Sequence, residues 1–105
     1  MNIKDFINGW FIGNFEPSIV RTKSVEIAYQ KGKKGEPVPK HYQRISTEYN
    51  LLTRGKMRVN GKEYNEGDFF IFEPYVVCEV EFLEDSEIVV VKMPSIGAHD
   101  KVVVK

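Results

Sequence analysis

Polar side chains that could act together cluster in one stretch: His41, Gln43 and Glu48, with five residues separating Gly35 from His41 and six separating Glu48 from Gly55. Residues two apart on a strand share a face, so His41 and Gln43 project together, and a carboxylate from the next strand can converge on them. In the mouth of a small β-barrel such a set holds a metal ion or grips a polar ligand. Alternation carries Asn50, Leu52 and Arg54 onto the face of Glu48. An arginine there would hold a carboxylate or phosphate in two-point geometry, while Asn50 or Gln43 would read hydroxyl or amide groups. His41, its ring oriented by Glu48, is the candidate general base. The same residues admit plain structural roles: a polar network with buried water for the first three, a weak surface pair for Arg54, and backbone partners for Asn50.

The elements that must position these groups read as short strands. Ten are expected: Trp10–Phe15, Val25–Gln30, Tyr42–Ile45, Glu48–Thr53, Lys56–Val59, Lys62–Tyr64, Phe69–Phe72, Val76–Phe82, Ile88–Met93 and Val102–Val104. Turn clusters separate many of them, among them Glu16-Pro17-Ser18, Gly32 to Gly35, Asn65-Glu66-Gly67 and Glu73-Pro74. Asn60-Gly61 is the strongest, because both residues tolerate the positive φ of a type I′ turn and so predict a tight hairpin. Only Ile3 to Ile7 suggests a helical turn. Many short strands at regular spacing predict an all-β, antiparallel sandwich or barrel.

Phe69-Phe70-Ile71-Phe72 and Val89-Val90-Val91 are apolar at consecutive positions, which predicts strands covered on both faces. A second subunit is the simplest cover, and a homodimer is the expectation. The C-terminal Val102-Val103-Val104 either folds back on its own sheet or pairs with a neighbour's edge.

Composition narrows the function classes. Fifteen basic and fifteen acidic residues cancel in a chain of 105, so it lacks the positive footprint that nucleic acid or an anionic membrane requires. The run Lys31 to Lys34, interrupted by Gly32, reads as a solvated loop. No apolar stretch approaches the ~20 residues of a membrane span. One cysteine offers no internal disulfide, and Lys4, Asp5 and Gly9 break up the N-terminus, so a cytoplasmic location is expected. Cys78, in step with Val76, Val80 and Phe82, reads as a small hydrophobe on an apolar face. His99, beside Gly97-Ala98 and Asp100, reads as an exposed loop residue. No glycine-rich phosphate loop, Ser-His-Asp set or paired-cysteine site appears.

The spacing from Gly35 to Gly55 resembles the first motif of the cupin family, Gly-x5-His-x-His-x3,4-Glu-x6-Gly, with Gln43 in place of the second histidine. Gly67 and Pro74 resemble the frame of the second motif, Gly-x5-Pro-x-Gly-x2-His-x3-Asn, with one extra residue between them. Counted from Pro74, the motif's glycine falls on Val76, its histidine on Glu79 and its asparagine on Leu83. The two motifs span a little under half of the chain. The resemblance implies one cupin-like jelly-roll domain over residues 1–105, with the flanking strands agreeing in kind.

In that family three imidazoles and one carboxylate usually hold a metal. The resemblance carries the ligand set onto His41, Gln43, Glu48 and Glu79, with Val77 and Glu81 beside Glu79 on the same face. One imidazole, one amide and two carboxylates would shift the preference from iron, copper or nickel toward harder ions such as manganese or magnesium, and the divalent metals considered for the site are Mn, Fe, Zn and Ni. The reading is a small cupin that binds a small polar molecule in the barrel mouth, with or without a divalent metal. The alternatives are a metal-dependent enzyme of the dioxygenase or isomerase kind, a metal-free isomerase using His41 as base, and a protein-interaction module using a hairpin or edge strand.

Overall fold

Strand formation follows the alternation and the turns: the computed structural model, which describes residues 1–105, contains ten strands and two single 3₁₀ turns. The strands are β1 Trp10–Ile12, β2 Glu26–Gly32, β3 His41–Gln43, β4 Thr47–Arg54, β5 Lys56–Val59, β6 Lys62–Asn65, β7 Phe69–Phe72, β8 Val80–Phe82, β9 Ser86–Met93 and β10 Lys101–Val103. Every expected strand is present, Lys56–Val59 and Phe69–Phe72 with the expected bounds and the others with shifted ends, and all named pairings are antiparallel. The 3₁₀ turns are Ile3–Asp5, closed by a capping box from Asn2, and Ala98–Asp100. No helix is long and apolar enough to cross a membrane.

One wall is a five-stranded sheet in the order β1-β2-β9-β4-β7. The other is assembled from β6-β5-β8 and β10-β3, spliced by a bridge between His41 and Cys78 in which the Cys78 N–H donates to the His41 carbonyl at 2.7 Å. The C-terminal strand therefore folds back onto its own chain, with Val102 opposite Tyr42. Asn60 and Gly61 take φ of 48° and 83°, which lets Val59 pair directly with Lys62 across the tight hairpin. Leu52, Met57, Val59, Phe70, Phe72, Cys78 and Phe82 form the buried cluster between the walls.

Two differences from the expected strands matter for the site. The Val76–Phe82 run is ordered as a strand only from Val80, because Tyr75 takes a φ of 67° and its N–H donates to the Gln43 carbonyl at 2.8 Å. In β4 the pairing with β9 shifts between Leu52 and Arg54, a bulge that breaks alternation at the strand's end. Gly55 follows that bulge at φ 96°, and a Cβ there would lie 2.3 Å from Ser86 Oγ and 2.4 Å from the Asp85 carbonyl oxygen. A glycine is needed at this position on both counts.

The outer face of the five-stranded sheet is apolar in two adjacent rows. One row runs Ile27, Val91, Tyr49, Ile71 and the next runs Tyr29, Val89, Leu51, Phe69, from β2 to β7. Phe69 and Ile71 are 65% and 53% exposed.

Candidate functional site

The inner face of the same sheet is layered by register. Its deepest layers place Leu52 opposite Ile88, and Ala28, Val90, Asn50 and Phe70 side by side. The layer toward the mouth is Glu26, Lys92, Glu48 and Phe72, one from each of β2, β9, β4 and β7. β-Branched and aromatic residues drive these strands into the sheet, and the period of two then forces the few polar residues on that phase inward with them.

Above these layers the two walls enclose a cavity of about 1180 Å³. Glu26, Trp10, Asn50 and Lys92 line it from the five-stranded sheet, and His41, Gln43 and Cys78 from the facing wall. Lys92 Nζ lies 3.4 Å from Glu26 Oε1, with both side chains almost fully buried, and sits 5.1 Å from the centroid of the Trp10 ring. Glu26 also accepts the Gly97 N–H at 3.2 Å. A buried charge pair needs such extra partners to offset its desolvation.

Glu48 pairs in register with Lys92 on the neighbouring strand, but its hydrogen-bond partner is Asn50, whose Nδ2 donates to Oε2 at 3.1 Å. On the opposite wall His41 Nδ1 lies 3.0 Å from the Pro39 carbonyl oxygen. That oxygen can only accept, so Nδ1 carries a proton and Nε2 is the ring atom left for another partner. Gln43 is 2% exposed, and its Oε1 has no hydrogen-bond partner. Burial pushes the Cys78 thiol up to about 12, the Glu48 carboxylate adds to the rise, and Lys101 opposes it. The thiol is therefore neutral at physiological pH.

Of the residues expected at the site, His41, Gln43, Glu48 and Asn50 come together on the cavity wall, and Arg54 and Glu79 do not. The bulge turns Arg54 outward, where its side chain is 77% exposed and lies 3.6 Å from Glu87. Glu79 is also outward, 67% exposed and 3.6 Å from Lys40 Nζ. The reason is the count across the second motif. Measured from Gly67 instead of Pro74, the motif's glycine falls on Tyr75, which has the positive φ, and its histidine falls on Cys78, which faces the cavity. The face assigned to Cys78, Val80 and Phe82 as merely apolar is thus the cavity face, and Glu79 and Glu81 point to solvent.

These donors do not fit a divalent ion. No three His, Cys, Asp or Glu side chains approach closely enough to hold one. The ring of His41 is oriented by a backbone carbonyl, one oxygen of Glu48 is taken by Asn50, and the position of the expected second carboxylate holds a neutral thiol. Glu26, Lys92 and Cys78 are cavity residues that the motif reading passes over. Their signal is in the sequence nonetheless: Glu26 and Lys92 are lone charges on the same phase as the buried Ala28 and Val90. Trp10 does line the mouth, as an aromatic from the N-terminal strand was expected to be able to do. His99 lies in the second 3₁₀ turn, exposed, and its carbonyl accepts from Arg44 at 2.6 Å.

No family model matches the sequence, and no curated protein does. Solved structures do match by shape. An uncharacterised conserved protein with a double-stranded β-helix domain from Klebsiella pneumoniae superposes with a TM-score of 0.73 at 14% identity, over 99% of this chain and 89% of that one. KdgF from Halomonas sp. gives 0.65 at 19% identity, over 74% and 76% of the two chains. Pac13 from Streptomyces, a nucleoside dehydratase, gives 0.69 at 14% identity, over 80% and 71%. At these identities the likeness concerns backbone architecture. With the two facing antiparallel sheets and the motif spacings, it identifies the chain as a small protein of the double-stranded β-helix, or cupin, fold.

Proposed function

We propose that this protein binds a small polar molecule in the mouth of the barrel, between His41 and Gln43 on one wall and Glu48 on the other. The observation that carries this reading is Gln43, a nearly fully buried amide whose Oε1 has no partner in the protein although it stands on the cavity wall. Leaving a buried acceptor unpaired costs about 1–3 kcal/mol, and a ligand donor would recover it. The cavity is roomy enough for a molecule of metabolite size, and ligand sites of this kind span roughly 300–1,000 Å³. Its floor of Met57, Phe70, Ile88 and Val90 is apolar, and its upper layer is polar apart from Phe72. This arrangement excludes water from one side of a ligand while orienting the other.

Binding without chemistry is the reading the residues favour. The thiol on the same wall as His41, that of Cys78, is protonated and buried and is not a ready nucleophile. The test is native mass spectrometry of the purified, tag-free protein, with elemental analysis in parallel. A retained small molecule, or a thermal-shift hit from a metabolite library that disappears in His41→Ala, is the expected result. A protein that neither retains nor binds any small molecule would refute the reading. Stoichiometric metal lost in His41→Ala would replace it with the metal-dependent alternative.

A further inference from the structure

The mouth carries an unpaired charge on each wall, and the two are of opposite sign. On the five-stranded sheet, Lys92 stands in register between Glu26 and Glu48. Its ion pair goes to Glu26 at 3.4 Å, which leaves Glu48 without a cation of its own. Asn50 serves one oxygen of Glu48 with a neutral amide, and the other oxygen has no partner in the protein. On the facing wall Lys101 pairs in register with Gln43, so both side chains leave the β10-β3 ladder on the face that lines the cavity. Lys101 is exposed, as a group at the rim must be, and no carboxylate lies within ion-pair distance of it. The buried Cys78 thiol feels both charges, Glu48 raising it and Lys101 lowering it, so the two act on one interior point. Beside Lys101, the Gln43 amide offers the unpaired acceptor Oε1 and N–H donors that have no partner in the protein. The other lysines that border the cavity are placed differently: Lys4 lies in the N-terminal 3₁₀ turn, and Lys31 is on the outward phase of β2 over the Tyr29 ring.

Resting on the ligand-binding reading above, we infer that the ligand is a small zwitterion of the amino-acid class, its ammonium group held by Glu48 and its carboxylate by Lys101, with the Gln43 amide between hydrogen-bonding the atoms beside the carboxylate. A ligand of one sign engages one wall and covers the charge on the other, which then loses hydration without gaining a partner. A zwitterion meets both walls with complementary potential at each of its ends. The remaining polar groups are compatible with either end. His41 Nε2 accepts when the ring is neutral and donates when it is charged, and the Trp10 indole N–H is a neutral donor that adds nothing to the balance of charge. Lys101 is thereby assigned as a specificity-determining residue of the site, on a strand that carries no motif.

The test uses matched triplets on one carbon skeleton: an amino acid, the amine that lacks its carboxylate and the acid that lacks its amino group. The skeletons run from glycine and other small α-amino acids to γ-aminobutyrate and ε-aminocaproate, so that the separation of the two charges is scanned. Binding is followed by ligand-observed NMR and calorimetry on the full chain, and any co-purifying molecule is identified by tandem mass spectrometry. In a triplet that binds, the amino acid is expected to bind at least about 10-fold more tightly than the amine or the acid, the usual worth of one charge-assisted hydrogen bond. Lys101→Met is expected to bring the amino acid to within about 3-fold of the amine, and Glu48→Gln to within about 3-fold of the acid. Circular dichroism verifies that each variant is folded, and the wild-type ranking stands as the test if one is not. A co-purifying molecule that carries both charges supports the inference even where no triplet binds. An amine or acid that binds as tightly as its amino acid, an amino acid whose affinity is unchanged in Lys101→Met, or a co-purifying molecule without both charges overturns the inference and leaves the pocket reading intact. If no triplet binds and nothing co-purifies, the pocket reading fails and takes the inference with it.

Discussion

Gln43 combines a cost and a use in one side chain. Its buried Oε1 has no partner in the free protein, so replacing the amide with a hydrocarbon of similar size removes a desolvation cost while removing a contact to the ligand. Gln43→Leu is therefore expected to raise the stability of the free protein by about 1–2 kcal/mol in urea unfolding. It should also weaken ligand binding by at least 10-fold in calorimetry, since a buried hydrogen bond is lost. A variant that is destabilised by a similar amount would mean that the amide is satisfied by ordered water. Cys78 sits opposite in character. With its thiol pushed up to about 12 by burial, and further by Glu48, it is expected to resist a thiol-reactive reagent at pH 8 in the native state and to react fully in denaturant. Fast native labelling would show that the cavity is open to solvent at that depth.

At the level of the elements, two junctions set the geometry of the mouth. The first is the bulge at the end of β4, which Gly55 makes possible. Gly55→Ala is expected to cost about 2–4 kcal/mol, from the left-handed φ and the overlap with Ser86 and Asp85, as measured by denaturant unfolding. An unchanged midpoint would mean that the turn has room to move. The second junction is Asp100, buried in the turn before β10, whose Oδ1 accepts from the N–H groups of Arg44 at 3.1 Å and Ile45 at 2.7 Å and whose Oδ2 accepts from Ser46 at 2.8 Å. This ties the C-terminal segment to the loop between β3 and β4 and so fixes His41 and Gln43 relative to Glu48. Burial by itself would raise the Asp100 carboxyl, but these backbone donors and the Ser46 side chain hold it below the usual aspartate value. A depressed folded value means that the group stabilises the fold above the unfolded carboxyl's titration and loses that contribution as pH falls through the folded one. Asp100→Asn is expected to cost about 1–3 kcal/mol at pH 7, with the gap to wild type closing in unfolding experiments below pH 4. A gap that persists unchanged at low pH would assign the loss to packing instead of charge.

At the scale of the molecule, the two apolar rows on the outer sheet face are half-buried from β2 to β4 and exposed at Phe69 and Ile71 on β7. With strands ~4.8 Å apart and alternate residues ~7 Å apart, eight side chains across four strands make a patch on the order of 300 Å² in flat projection. That is the size at which an exposed apolar patch marks an interaction site. Polar positions border it, with Lys31, Glu87 and Arg54 in register at one end and Thr47 beside Met93 at the other. An apolar centre with a charged rim is the anatomy of a protein interface. We propose that a second copy of the chain covers this face. β7 supports that occupant: it ends the sheet, carries the two most exposed members of the patch, and has no backbone partner beyond β4, so a two-fold axis beside it would bring like against like. Light scattering is expected to give twice the 12.1 kDa chain mass at micromolar concentration, and Ile71→Lys to reduce it to one chain without loss of fold. Ile45→Lys, at an exposed position away from the patch, should leave the dimer standing. A wild-type monomer at 100 μM would leave the face without this partner.

Much of this was legible in the residues themselves. The period-two alternation of β2, β4 and β9, the Asn60-Gly61 hairpin and the first motif from Gly35 to Gly55 depend on neighbours close in sequence, and these local constraints determined the all-β architecture and the placing of His41, Gln43, Glu48 and Asn50. Whatever depended on phase across an irregularity was decided by the tertiary structure. One extra residue between Gly67 and Pro74 exchanged Glu79 for Cys78 at the cavity wall, and one bulge carried Arg54 to the outside. A single-residue slip inverts every side chain beyond it, and only the packing of one wall against the other selects which phase is buried. The same packing chose intrachain pairing for the C-terminal strand, brought Glu26 and Lys92 together from β2 and β9, and left the Gln43 Oε1 on the cavity wall without a partner.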